Sequence, residues 1–337
     1  MRLAAAVLLV ASACEPALAP DRSATATIQP PAANTATASA HPLALSTFPV
    51  PAGMRPHDVA PGPDGGVWFT AQGSGELGRL DPATGAVRRI ALGPGSAPHG
   101  VIVGADGAPW VTDGGLNAIL RVDASTGAVR RFPVPNANAS LNTATFDRRG
   151  RIWFTAQNGV VGRLDPASGE MRTLSAPRGA GPYGIATAPN GDVYFASLAG
   201  NYVGRIEVAS GEIRVLEPPT QGQGARRVWP DSRGRVWVSE WNAGQVGMYD
   251  ATADAWREWK LPGARPMAYA VYVDERDAVW LTDFAASAIV RFDPESEQFA
   301  SFRLAPGADV RQLLGRSGEV WGAESGRDAL VVVRTGS

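Results

Sequence analysis

Two of the three histidines in this chain, His57 and His99, each follow a proline and lie 42 residues apart. An imidazole titrates near neutral pH, so a pair brought together could take a proton from a substrate or hold a metal ion. Asp113, 14 residues beyond His99, adds an acid to the pair. His57, His99 and Asp113 are therefore the candidate catalytic residues. The third histidine, His41, ends a stretch rich in Ala, Pro, Thr and Ser and reads as a solvated linker residue.

The interval between the histidines is the period of the whole chain. The segment VWFT at Val67 to Thr70 returns as PWVT, IWFT, VYFA, VWVS, VWLT and VWGA, anchored on Trp68, Trp110, Trp153, Tyr194, Trp237, Trp280 and Trp321. The anchors are 42, 43, 41, 43, 43 and 41 residues apart, a spacing that means a propeller or a solenoid. Each unit reads as a short alternating segment, a turn such as PDGG or PNGD, the anchor strand, a third strand such as VGRL, a turn of the DPATG type and a fourth strand such as VRRIAL. Four short strands without helical period predict one antiparallel blade, and a helical solenoid is excluded.

The fold expected is thus an all-β, seven-bladed β-propeller of four-stranded antiparallel blades. The seventh unit lacks a fourth strand, whereas TFPVPAG at Thr47 to Gly53 resembles the fourth strand RFPVPNA at Arg131 to Ala137. The N-terminal strand is expected to complete the last blade and close the ring. The anchor aromatics are expected between blades, and Arg79, Arg163 and Arg205 on blade faces.

Packing requires repeats to be alike, so a site is sought where they differ. Eleven residues before each anchor stand His57, His99, Asn142, Tyr183, Arg226 and Tyr269, with Arg311 ten before in the shorter last blade. Three after each anchor stand Ala71, Asp113, Ala156, Ser197, Glu240, Asp283 and Glu324. Both positions fall at the same end of a hairpin, so both sets are expected around one mouth of the central channel. Asn142, Tyr183, Arg226, Glu240, Tyr269, Asp283 and Arg311 are the candidate ligand-binding residues of this polar mouth, the top face. The ligand expected there is a small molecule or a peptide.

The repeats APHGVIVGADGAPWVTD, GPYGIATAPNGDVYFAS and VGRLDPASGE resemble those of the virginiamycin B lyase, or streptogramin lyase, family over roughly residues 47 to 334. The resemblance implies a seven-bladed propeller and a magnesium-dependent elimination that opens a cyclic depsipeptide by breaking an ester C–O bond. In that chemistry the metal polarises the ester carbonyl and a histidine removes the α-proton. The family's two functional histidines map onto Tyr269 and Arg311, neither of which is a base at neutral pH. Its metal-side acids map onto Asp309 and, one residue offset, Glu324, the candidate metal ligands. His57 and His99 stand in adjacent blades like the family's pair, displaced around the ring, with Ala97 where a companion acid would be.

The net charge of −1 leaves no basic excess for phosphates, which excludes a nucleic-acid binder. Residues 1 to 14 read as an export signal too short to span a bilayer, ending in VASAC, which resembles a bacterial lipobox with Cys14 as the lipidated residue. Cys14 is the only cysteine, so no internal disulfide is expected. Residues 15 to 44 read as a disordered tether, and 45 to 337 as the propeller. An exported, lipid-anchored monomer is expected, touching the membrane only through that anchor. Three functions stay open: a lyase acting on a depsipeptide or lactone, a non-enzymatic envelope binding or scaffold module, and a gluconolactonase-like hydrolase built on Asn142, Asp283 and Glu324.

Overall fold

The computed structural model describes residues 43–335; the expected leader with Cys14, the expected tether up to residue 42 and His41 lie outside the described residues. Every described element is a strand, and the strands form seven four-stranded antiparallel sheets, the blades of a propeller. The first blade is β2 (Pro56–Pro61), β3 (Val67–Ala71), β4 (Glu76–Leu80) and β5 (Val87–Ala91), in that order. The innermost strands of the next six blades are β6 (Pro98–Val103), β10 (Leu141–Phe146), β14 (Pro182–Thr187), β18 (Ala225–Pro230), β22 (Ala268–Val273) and β26 (Val310–Arg316). Blade seven continues with β27 (Glu319–Glu324) and β28 (Ala329–Arg334). Its outer strand is β1 (Ala44–Pro49), paired from Ala44 with Arg334 to Pro49 with Ala329. The ring is closed by the N-terminal strand, which opens one residue earlier than the sequence suggests.

The anchor strands are buried along their whole length, except at Glu319 in β27, because both faces pack against neighbouring blades. The anchor aromatics fill the wedges: Trp68, Trp153, Trp237, Trp280 and Trp321 are among the largest fully buried side chains. Where an aspartate stands six residues before the anchor it accepts the indole N–H, as Asp147 does from Trp153 at 3.1 Å, Asp231 from Trp237 at 3.0 Å and Asp274 from Trp280 at 2.8 Å. The buried ring thereby loses no hydrogen bond. Arg79 and Arg163 lie over the faces of Trp68 and Trp153, and Arg205 pairs with Asp192, so these arginines cover blade faces.

Each innermost strand carries a β-bulge near its start. Pro56 faces Ala71 and Val59 faces Phe69, so His57 and Asp58 together oppose the single residue Thr70. The bulge undoes the usual alternation and frees two successive residues for the channel. Thr70 fastens it: its hydroxyl accepts the Asp58 N–H at 3.0 Å and donates to the His99 carbonyl of the next blade at 2.8 Å. Thr112, Thr155 and Ser239 stitch their blades to the next in the same way. In blade seven this place is Ala323, and the Gln312 side chain makes the joint instead, accepting the Val59 N–H at 2.9 Å.

Candidate functional site

The bulges bring His57, His99, Asn142, Tyr183, Arg226, Tyr269 and Arg311 to one level of the channel. They meet as a packed layer rather than an open funnel. The His57 and His99 rings lie 3.8 Å apart between centroids, and Asn142 Nδ2 is 3.1 Å from His99 Nε2. Across the channel the Tyr183 and Tyr269 hydroxyls are 2.7 Å apart. Arg226 donates to the Tyr183 hydroxyl at 2.9 Å and places its guanidinium 3.6 Å from the centre of the Tyr269 ring. Phe284 stacks on Tyr269 at 4.4 Å, and Trp241 meets it edge-on at 5.5 Å. The histidines and Tyr269 are buried, at 3%, 7% and 1% exposure, whereas Arg226, Arg311, Trp241 and Phe284 are half-buried and form the surface of this upper mouth.

Beneath the layer, Arg227 crosses the channel from blade five. Its Nη2 is 2.9 Å from Asp58 Oδ1 in blade one, and its Nη1 donates to Thr143 Oγ1 in blade three at 2.7 Å. Asp58 also accepts from His57 Nδ1 at 2.9 Å. Sequence reasoning missed Asp58, Thr143 and Arg227 because a regular strand would turn them away from the channel. The available signal was a charged residue beside a channel position, in PHDV and ARRV.

Burial, and then the Arg227 guanidinium, hold the His57 imidazole well below its usual pKa; burial, then His57, do the same to His99. Both rings are therefore neutral near pH 7. Donating Nδ1–H to Asp58 leaves His57 Nε2 with its lone pair, the arrangement of an oriented general base. Burial opposes ionisation of both tyrosines. For Tyr269 the Arg226 and Arg227 guanidiniums outweigh it and lower the phenol, while Tyr183 is raised.

The residues three past each anchor end near the same mouth but turn elsewhere. Asp113 accepts from Ser96 Oγ at 2.5 Å and from the N–H groups of Ala97 and Leu116 at 2.9 Å, so it ties loops together. Asp283 does the same for Met267 at 2.9 Å and Ala285 at 3.0 Å. Glu240 lies over Gly247 of the third strand, in the space that Phe69, Phe154 and Phe195 fill over Gly78, Gly162 and Gly204. It accepts from Gln245 Nε2 at 2.6 Å, its Oε1 has no partner, and burial pushes its carboxyl up to about 8. Burial likewise raises Glu324. Arg311 donates from Nε to Ser325 Oγ at 2.6 Å. Thus Asn142 is held by His99 and Thr143 and Asp283 by its loops, and neither is grouped with Glu324.

The model of the Virginiamycin B lyase family matches residues 32–280, most of the chain. This chain belongs to the virginiamycin B lyase family. No curated protein sequence matches it. Among solved structures it is similar to a streptogramin B lyase, at 22% identity and a TM-score of 0.80 over 87% of this chain and 98% of that one. It is similar also to a catalytically inactive variant of virginiamycin B lyase from Staphylococcus aureus with quinupristin, at 20% identity and a TM-score of 0.80 over 87% and 99%. The extracellular domain of a hybrid two-component system from B. thetaiotaomicron matches at 14% identity and a TM-score of 0.70, over 87% of this chain and 43% of that one. At these identities the likeness is one of fold.

Within the virginiamycin B lyase family the implied cofactor is magnesium, and the donor set here does not fit it. Among the described residues one trio of metal-type donors lies together, His57, Asp58 and His99, with their atoms within 4.8 Å of one another. The Arg227 guanidinium already binds the Asp58 carboxylate and stands where a cation would. Asp309 and Glu324 belong to no such trio, and the Arg311 guanidinium anchored on Ser325 adds a fixed positive charge beside them.

Proposed function

We propose that this chain is a ligand-binding propeller of the virginiamycin B lyase family, exported and held at the envelope through Cys14, that acts as a monomer and does not carry out the magnesium-dependent elimination. The observation that carries this reading is the guanidinium of Arg226 packed on Tyr269. The position where the family resemblance calls for a histidine base is occupied by a phenol sealed between an arginine, Phe284 and Trp241. Arg311 fills the companion position with a guanidinium tied to Ser325.

The upper mouth offers two half-buried guanidiniums, Arg226 and Arg311, with the faces and edges of Trp241 and Phe284. The nearby acids are turned away from it, Asp283 onto its loop amides and Glu240 into the blade over Gly247. Such a surface suits a small molecule or peptide bearing an aromatic group and a carboxylate. The test is a thermal-shift titration of the full chain with N-acetylphenylalanine and with quinupristin, with and without magnesium. Chromatography and mass spectrometry of the quinupristin mixtures accompany it. Stabilisation without a new product is expected. A linear isomer of unchanged mass that appears only with magnesium would overturn the reading.

One observation favours a second reading, a lyase whose base is displaced around the ring. The Asp58 to His57 hydrogen bond orients Nε2 as a base would require, with His99 stacked beside it. If a linear product forms, this reading expects His57→Gln to abolish it while Tyr269→Phe leaves it intact.

A further inference from the structure

The Arg227 crossbar divides the channel, and the half beneath it is open. A cavity of about 260 Å³ runs from the crossbar to the lower face, at the small end of ligand-pocket sizes. Its walls are apolar, from Val101, Ile185, Val271 and Leu313, and Phe146 and Trp229 stand at its rim. A shallower recess along Thr187, Pro189 and Pro230 continues from Phe146 and Trp229 across the lower face. Its ceiling is polar: Asp58, Thr143, Arg227 and Gln312.

The ceiling fixes the chemistry of an occupant. Arg227 is 4% exposed, and its Nε–H has no partner although both terminal nitrogens are bonded. A buried donor without an acceptor costs free energy until something supplies one. Gln312 gives its Oε1 to the Val59 amide, which leaves its NH₂ group as a further donor. The arginine charge is already balanced by Asp58, so an anion would meet that carboxylate and a cation would meet the guanidinium. A neutral oxygen acceptor satisfies the ceiling without disturbing the pair. Water could accept the same hydrogen bonds, but it gains nothing from the apolar walls, which a carbon body would cover.

The distribution of apolar surface agrees. Leu45 is the one exposed large hydrophobic residue among the described residues. Ile102, Phe146, Trp229 and Leu314, all half-buried, gather instead around this cavity. Each rests one face on the core between blades, Phe146 edge-on to Trp110 and Trp229 edge-on to Tyr272, and leaves the rest of its apolar surface at the opening, which no strand among the described residues pairs across.

We infer that the lower half of the central channel is a binding site for a small neutral molecule with an apolar body and a carbonyl oxygen at its leading end. The carbonyl lies under Arg227 Nε and the Gln312 amide, and the body fills the space between Ile185, Val271 and Leu313. The site is independent of the upper mouth and of whatever binds there.

The test uses the full chain and three fluorinated probes observed by ¹⁹F NMR: 4-fluoroacetophenone, its hydrocarbon counterpart 1-ethyl-4-fluorobenzene, and 4-fluorobenzoate. The ketone is expected to bind at millimolar concentration or better, the hydrocarbon at least about tenfold more weakly, and the benzoate not in this cavity. Val271→Trp, which fills the cavity, is expected to abolish ketone binding, and Trp241→Ala, at the upper mouth, to leave it unchanged. Should the filled variant fail to fold, the wild-type protein decides through nuclear Overhauser contacts from the ketone to the methyl groups of Val101, Ile185, Val271 and Leu313. Contacts to Phe284 or Trp241 instead, equal binding of ketone and hydrocarbon, or no binding of the ketone overturns the inference.

Discussion

The crossbar makes a strong energetic statement that Arg227→Met tests. Arg227 and Asp58 are both buried, at 4% and 1% exposure, and bond at 2.9 Å and 3.3 Å across the channel, with a further bond from Arg227 to Thr143 at 2.7 Å. Methionine keeps the length and apolar stem of the side chain but leaves Asp58 as a buried charge with only His57 to donate to it. Breaking such a pair costs about 3–5 kcal/mol, and the lost bond to the Thr143 hydroxyl, which keeps its own bond to Asn142, up to about 1 kcal/mol more. For a domain of this size that is a fall in Tm of roughly 6–15 °C. The Asp58→Asn/Arg227→Met double variant removes both charges and is expected to recover at least about 2 kcal/mol of the loss, because a buried pair replaced as a unit is often nearly neutral. Urea unfolding of the wild type, both single variants and the double variant closes the cycle. A cost below about 1 kcal/mol for Arg227→Met, or strict additivity in the double variant, would refute the crossbar as a buried, mutually dependent pair.

Glu240 predicts a pH dependence of its own. Burial holds its carboxyl at about 8, so between roughly pH 4.5 and 8 the unfolded chain ionises there while the folded chain does not. Stability from this group is full below the unfolded pKa and is lost as pH rises through 8. Glu240→Gln should remove a few kcal/mol of that decline, seen by comparing urea midpoints at pH 5 and pH 9. His57 and His99 work in the opposite sense: their lowered pKa values mean stability is present above about pH 6.5 and is lost on acidification, and His99→Gln should flatten the acid limb of the same titration. Gly162→Ala would drive a methyl group into the Phe154 ring, an overpacking that should cost about 1–3 kcal/mol in thermal unfolding. Gly247→Ala meets only the end of the Glu240 side chain, at 2.6 Å, and should cost less. Deleting residues 44–49 strips the outer strand from β28 and should lower the Tm of the whole ring in a single transition rather than release one blade.

The blades were legible because the same packing problem is solved seven times, so Trp68 to Trp321 announce their period directly. The inner-strand positions were legible for the opposite reason: His57, His99, Tyr183 and Arg226 differ where packing alone would keep them alike. What the sequence hid depends on backbone geometry. A bulge is a local departure from two-residue alternation, and only with it in place do His57 and Asp58, or Arg226 and Arg227, face the channel together. The same blindness affects Asp113 and Glu240, which stand at matching repeat positions. One caps loops near the mouth, and the other fills a hollow left by a missing phenyl ring.

The pairing of Ala44 with Arg334 also sets the order in which this molecule can be completed during its synthesis. β1 is among the first strands of the described chain to be made, and its partner β28 is the last. Until β28 exists, β1 is a free strand edge, and six finished blades form an open arc with nothing to hold its ends. Contacts of such long sequence separation fold slowly, because the loop must close before they contribute. A nascent chain of this design commits to its native state only once β28 has been made. A chain cut short near Ala329 would therefore carry the first 27 described strands and still lack the contact that makes them a ring.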